Sequence, residues 1–379
     1  MYILYLLLAL VILLLMVLVH EFGHYTIGRM LGFKITEFSV GFGKALFSRK
    51  NKRGEIISLR LFPLGGYCAF AGEEETDDKD KDAFTNQAAW KRIFVFLAGV
   101  MFNFAFAVFT SFILLCTVGY DIPQVHSIVD KNNIINEFKI ENALSEPYSP
   151  LAEQQLQPGD VIISLDGKKI DFAYGSNYSD IVNERINLLT KENFDEMAVM
   201  DAVVKRGNSY ENIKLSFYRI EVQAFDENNQ AIEGKTNYTF VWNINAKAYV
   251  HTVGEALQRA VPFAIGLAWI VLKSLWLLIT FQLPLSSIGG PITTITTIAT
   301  YTQQSATNLL LLIPLISANL AIFNLLPIPA LDGAHVLFTT IEAIRKKPIK
   351  RETENMIHTI GLFILFGAVI LIDILHFLL

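Results

Sequence analysis

From Ser274 to Leu331 the chain carries no charged side chain. Three further runs share this property: Tyr2 to Val19, Ile93 to Tyr120 and Asn355 to Ile372. A bilayer is crossed by roughly 20 apolar residues, and inside the longest run the stretch Asn308 to Leu326 is dense in Leu, Ile and Ala. These gaps predict four transmembrane spans. The composition agrees: 52% of residues are hydrophobic and 18% charged, against roughly a quarter charged in soluble domains. An ordinary soluble enzyme and a disordered chain are both excluded. The net charge of −5 offers no basic field for nucleic acid. Cys68 and Cys116 fall in different segments, so free thiols are expected rather than a disulfide framework. The first run lacks a positive leader and a small-residue cleavage site, and it continues into His20 and Glu21. A span therefore fits it better than a signal peptide.

Lys and Arg set the direction. Residues 25–92 hold Arg29, Lys34, Lys44, Arg49, Lys50, Lys52, Arg53, Arg60, Lys79, Lys81, Lys91 and Arg92, and the link between the last two spans holds Arg345, Lys346, Lys347, Lys350 and Arg351. Both segments are expected on the cytoplasmic side. The two termini and the segment 121–259 are then expected outside. Phe263 to Phe281 is also long and apolar apart from Lys273. If it crossed, every later element would flip, so it is expected to lie along or dip into the outer face, with Trp269, Trp276 and Lys273 as interfacial residues.

His20-Glu21-Phe22-Gly23-His24 reads HExxH. On a helix, residues four apart stand on one face, so two imidazoles can reach one metal ion. The adjacent Glu21 is placed to take a proton from an attacking water. A plainer reading has the two His capping an apolar helix, but His and Glu at the edge of a span are costly unless paired or functional. A catalytic zinc takes a third protein ligand and keeps an open position. Asp332 follows the longest uncharged run in Asn324-Leu-Leu-Pro-Ile-Pro-Ala-Leu-Asp-Gly333 and is the leading candidate. His335 is a weaker one. By parity the first and third spans both run inward, which puts His20 and Asp332 at similar depth.

HEFGH in an N-terminal span with NLLPIPALDG in a later one resembles the site-2 protease family of intramembrane zinc metalloproteases (peptidase family M50), and the order of parts resembles its RseP-like branch. Phe62-Pro-Leu-Gly65-Gly66-Tyr67 resembles the family's membrane-reentrant β loop, Gly99-Val-Met-Phe-Asn103 its GxxxN motif, and Ser287-Ile-Gly-Gly-Pro291 the Gly-Pro turn before its third core span. The resemblance implies one Zn2+ held by His20, His24 and Asp332, with Glu21 as base. It also implies that Asn324 lies near bound substrate, with Asn103, Gly65, Gly66 and Tyr67 around the site. Ala334 stands where the family often has a second Gly. The implied substrates are single-span membrane proteins already shortened by another protease, such as an anti-sigma factor or a remnant signal peptide. The implied location is the bacterial inner membrane, with the site near the cytoplasmic side.

Around this centre, residues 35–70 alternate as a strand hairpin expected to associate with the membrane, and an open edge there could pair with an extended peptide. Glu73 to Asp82 reads as a solvated loop. Pro158-Gly-Asp160 leads into an alternating strand and the Asp166-Gly167 turn, resembling a PDZ domain. Phe194 to Lys205 is expected to be helical and Ile213 to Val222 a strand. The expected fold is thus an α-helical polytopic membrane protein with four spans, a cytoplasmic membrane-associated β hairpin region and an external PDZ-like α+β domain. Its parts would be 1–120 (with the β region at 33–92), 121–250, an interfacial and connecting segment 251–304, and 305–379. Two rivals are a membrane zinc transporter, which has no need of Glu21 between ligands, and a PDZ-type peptide-binding membrane sensor with a dead core.

Overall fold

Helix α1 (Tyr2–Met30) carries the first apolar run through the HExxH residues without a break. It stops where Gly32 turns left-handed at φ +85°. There the Phe33 and Gly32 amides bond back to the carbonyls of Gly28 and Arg29 at 2.9 and 3.2 Å, a Schellman cap. The computed structural model describes residues 2–73, 82–120, 122–151, 155–170, 178–225, 231–283, 289–347 and 349–378. Most of the acidic loop 73–82, together with Ser287 and Ile288, lies outside them. The chain divides into two units, Met1–Ile113 with Ala260–Leu379, and Leu114–Arg259.

In the first unit, α1 is followed by β1 (Ile35–Lys50), β2 (Ile56–Phe70) and α2 (Ala89–Thr117). The two strands are bent, so that Val40 lies opposite both Gly66 and Leu59. Gly41, Gly43 and Gly65 supply positive φ where the strands turn. The hairpin base is sealed by Phe33, Phe70 and Phe84 against Val95 of α2.

The second unit holds β3 (Pro123–Ile128), α3 (Ile134–Glu137), β4 (Val161–Leu165), β5 (Lys168–Lys169), α4 (Tyr178–Leu188), α5 (Phe194–Met197), β6 (Val199–Arg206), β7 (Ser209–Ser216), β8 (Tyr218–Phe225), β9 (Ala231–Val241) and β10 (Ile244–Ala248). One sheet runs β10-β3-β4-β6-β7, with β5 paired to β4, and β8-β9 form a separate hairpin. The core centres on Phe194, Phe217, Ile162, Leu165 and Met200. The Pro-Gly-Asp turn forms at Gly159, φ +97°. There buried Asp160 accepts from the Gln157 amide at 2.8 Å and from Arg206 at 2.7 and 2.8 Å. The helix expected over 194–205 is confined to α5. From Val199 the chain is a strand, because Met200, Ala202 and Val204 alternate inward while Asp201 faces out. The expected strand 213–222 is split into the end of β7 and the start of β8.

The first unit resumes in α6 (Val253–Ile279), α7 (Pro291–Gln304), α8 (Ala306–Leu325), α9 (Asp332–Arg345) and α10 (Arg351–Leu378). Helix α7 starts with Pro291 at its first turn, and Asp373 of α10 caps it by accepting from the Ile292 and Thr293 amides, both at 3.1 Å. By length and composition, five described helices suffice to cross a membrane: α1, α2, α6, α8 and α10. This is one more than the four expected. The addition is α6, where neither Lys273 nor Pro262 interrupts the helix. Ala256, Ala260, Phe263, Ala264 and Leu267 make its buried stripe, and Leu257, Val261, Ile265, Trp269 and Trp276 stay exposed. Asp332 does not sit at the end of α8 but opens α9, after the turn that follows α8.

Candidate metal centre

His20 and His24 stand one turn apart on α1, both buried. Their rings meet edge to face at 82°, with the two Nε2 atoms 3.1 Å apart. The Oδ2 of Asp332, in the first turn of α9, lies 2.8 Å from His20 Nε2 and 3.4 Å from His24 Nε2. These three donors form a cluster capable of holding a metal ion. An ion with tetrahedral bonds of about 2.0–2.1 Å sets its ligand atoms about 3.3 Å apart, close to all three separations. Despite these approaches, buried Asp332 Oδ2 accepts no aligned hydrogen bond. An orphaned carboxylate oxygen facing two imidazole nitrogens is costly without a cation. Two imidazoles and a carboxylate suit zinc, so the residues present fit the group.

Contacts behind the donors fix both rings. His24 Nδ1 lies 2.8 Å from the Val95 carbonyl. The carbonyl can only accept, so the proton is on Nδ1 and the Nε2 lone pair is free for a metal. His20 Nδ1 lies 3.4 Å from the Asn103 amide, whose Oδ1 is buried without a partner. With the amide turned over, Oδ1 accepts from His20 Nδ1–H and both needs are met. Ser317 of α8 donates to the Asn103 carbonyl at 2.7 Å. Gly99 gives the rings their space: a Cβ there would stand 2.5 Å from His20 Cε1 and 2.6 Å from His24 Nε2. A Cβ at Gly23 would likewise stand 2.5 Å from the Ala98 carbonyl oxygen, so small residues on both helices permit this approach.

The turn Leu326–Leu331 brings α9 back against the end of α8. Gly333 is required there, because a Cβ would collide with the carbonyls of Leu325 and Leu326.

The three donors, Glu21, Tyr67, Cys68, Asn103 and Asn324 line one cavity of about 400 Å³. Strand β2 passes close to Glu21: a Cβ on Gly66 would lie 3.5 Å from Glu21 Cγ and 2.7 Å from the Ser39 carbonyl oxygen. Gly65, at φ +117°, faces the Phe42 ring and does not line the cavity. Tyr67 stacks on Phe42 at 6.2 Å. The hairpin is latched by Glu37, which takes Arg60 at 2.6 Å and the Ser58 hydroxyl. Burial alone would raise the Glu37 carboxyl, but hydrogen bonds from Ser58, Arg60 and Tyr67 outweigh it and hold the group below its ordinary range. His335 reaches the cavity rim but stands outside the donor trio, stacked between Phe96 at 4.9 Å and His358 at 4.0 Å. The Val95 carbonyl, Ser317 and Gly99's place beneath the imidazoles were not read from sequence. A backbone acceptor carries no residue-type signal; Gly99 and Asn103, four residues apart on α2, both pack against His20.

A model of the family described as "Peptidase family M50" matches residues 8–368. A Campylobacter jejuni protein named "Putative zinc metalloprotease" is 28% identical over 93% of this chain and 87% of its own length. A Fusobacterium nucleatum protein with the same form of name is 28% identical over 97% of both chains. The "Regulator of sigma E protease" of Haemophilus influenzae is 25% identical over 94% of both.

Proposed function

The chain belongs to peptidase family M50, and on that footing we propose that His20, His24 and Asp332 hold its zinc and that Glu21 is its general base. The protein is an intramembrane zinc metalloprotease, a multi-pass protein of the bacterial inner membrane. The observation that carries the site assignment is the convergence of Asp332 Oδ2 on the two imidazole nitrogens at 2.8 and 3.4 Å. When bound, zinc supplies a Lewis acid that polarises the scissile carbonyl and eases deprotonation of water. Glu21 takes the proton of the attacking water and returns it to the leaving amine. Asn324, which lines the same cavity, offers an amide to the substrate carbonyl as charge develops on it. Val95 and Asn103 keep the imidazoles in the ligating tautomer. A helical peptide has its carbonyls engaged, so the scissile segment must unwind first. The β2 stretch around Gly66 and Tyr67 lies beside Glu21 as a surface along which it can extend.

The substrates on this reading are single-span membrane proteins shortened beforehand by another protease, cut in or near the membrane segment. The Lys/Arg-rich segments 25–92 and 345–351 face the cytoplasm, and the second unit, PDZ-like in its Pro-Gly-Asp and Asp-Gly turns, faces outside with both termini. The contact of His20 with Asp332 supports this parity, because it requires the end of α8 at the depth of His20. Helices α6 and α7 together then make no net crossing, which leaves four complete spans and α6 along or within the outer face. A transporter would have no use for Glu21, and a peptide-binding sensor none for the donor trio.

The test is the purified chain in liposomes with a model single-span substrate. Cleavage mapped by mass spectrometry to the membrane segment, stopped by a chelator and restored by Zn2+, is the expected result. Zinc flux across the liposome without any cleavage would overturn the reading.

A further inference from the structure

The turn that presents Asp332 is held from outside the donor trio. Ala330 adopts φ +78°, a left-handed conformation that a non-glycine residue keeps only where its surroundings fix it. The Ala330 amide donates to Nδ1 of His358 on α10 at 2.9 Å. One turn further along α10, Gly361 faces Pro329, and a Cβ there would collide with the proline ring. The two residues before Leu331 and Asp332 thus rest on one α10 face, His358 taking the amide and Gly361 admitting the ring. His358 Nδ1 accepts only while unprotonated, so the ring proton is on Nε2, which is buried and has no partner. The ring is braced by His335 in parallel at 4.0 Å and 10° and by the edge of Phe338.

His335, Glu354 and His358 also bring three potential ligand atoms together. The stacking argues against a second metal: parallel rings project their in-plane lone pairs side by side, not toward a common point, and His358 Nδ1 is already engaged.

We propose that His358 is a positioning residue for the metal centre, holding Ala330 left-handed so that Asp332 meets His20 and His24, with Gly361 as the seat of the same turn. This rests on Asp332 being a zinc ligand. It assigns to α10, which contributes nothing to the donor trio, control over how tightly the centre binds.

Zinc affinity of the purified full chain, by competition with a chromophoric chelator, is compared for wild type, His358→Phe, His358→Asn, Gly361→Val and Asp332→Asn. Phe keeps the stacked ring and loses the acceptor; Asn returns an acceptor oxygen near the position of Nδ1. The expected result is about a tenfold loss of affinity in His358→Phe and Gly361→Val. His358→Asn should recover most of it, with matching changes in kcat for a single-span peptide and little change in KM. Each variant's helical circular dichroism confirms that the folded chain is being measured. If Asp332→Asn weakens zinc binding while His358→Phe does not, or if Asn fails to rescue, the positioning role is wrong. If Asp332→Asn leaves affinity unchanged, the ligand assignment beneath it fails instead.

Discussion

The Nδ1 of His24 donates to the carbonyl of Val95, 71 residues later in the chain, at 2.8 Å. This one bond ties the second imidazole of the HExxH helix to α2, fixes its tautomer and directs its Nε2 toward Asp332. The centre is therefore a product of packing between α1 and α2 as much as of its own motif.

Glu21→Gln keeps the size of the side chain and removes its basicity. Cleavage of a single-span substrate should fall by about 10²–10⁴-fold, while bound zinc, by elemental analysis, stays at the wild-type level. Zinc lost together with activity would make Glu21 a structural support rather than the base.

Gly99→Ala places a methyl where the imidazoles lie, 2.5 Å from His20 Cε1. The rings are held by Val95 and Asn103 and cannot both retreat. Zinc affinity should drop at least about tenfold, although alanine favours a helix more than glycine does. Unchanged affinity would show that α1 and α2 separate easily at this level.

Arg92 of α2 and Glu342 of α9 form a buried pair at 2.9 Å, and Glu342 also accepts the Ile349 amide at 2.8 Å. Glu342→Ala strands the guanidinium and should cost about 3–5 kcal/mol in chemical unfolding in micelles. The double variant Arg92→Met/Glu342→Leu should cost clearly less. Equal losses would mean that the packing of these helices, not the stranded charge, dominates.

The Glu37 carboxyl is held below its ordinary value of 4.5, so its hydrogen bonds stabilise the hairpin fully above that pH and are lost as pH falls through the lowered value. Amide exchange in β1 and β2, corrected for its intrinsic pH dependence, should show constant protection above about pH 5 and a loss under acid. In Glu37→Gln that acid step should disappear. An identical step in the variant would assign it to another group.

Much of the membrane part was legible because charge gaps are long-range signals. The uncharged runs located α1, α2, α8 and α10, and a lone acid after the longest run singled out Asp332. Local patterns were less decisive. The sequence predicts a helix over 194–205 because no turn residue sets Val199 to Lys205 apart from the Phe194 segment, and the inward alternation of β6 becomes clear only beside β4 and β7. The fold's use of Asp332 to open α9 depends on the Leu326–Leu331 turn and on Gly333, a tertiary fit that residue type does not announce. Whether an apolar helix such as α6 crosses or lies flat is set by its partners rather than by its composition. The Val95 carbonyl, common to every residue type, left no mark in the sequence at all.

The most direct test is the zinc content per chain of the purified wild type and of the combined His20→Ala/His24→Ala/Asp332→Ala variant, both confirmed helical. One zinc per wild-type chain and none in the variant is the predicted result. A full equivalent of zinc retained by the folded variant would place the metal elsewhere and contradict the account.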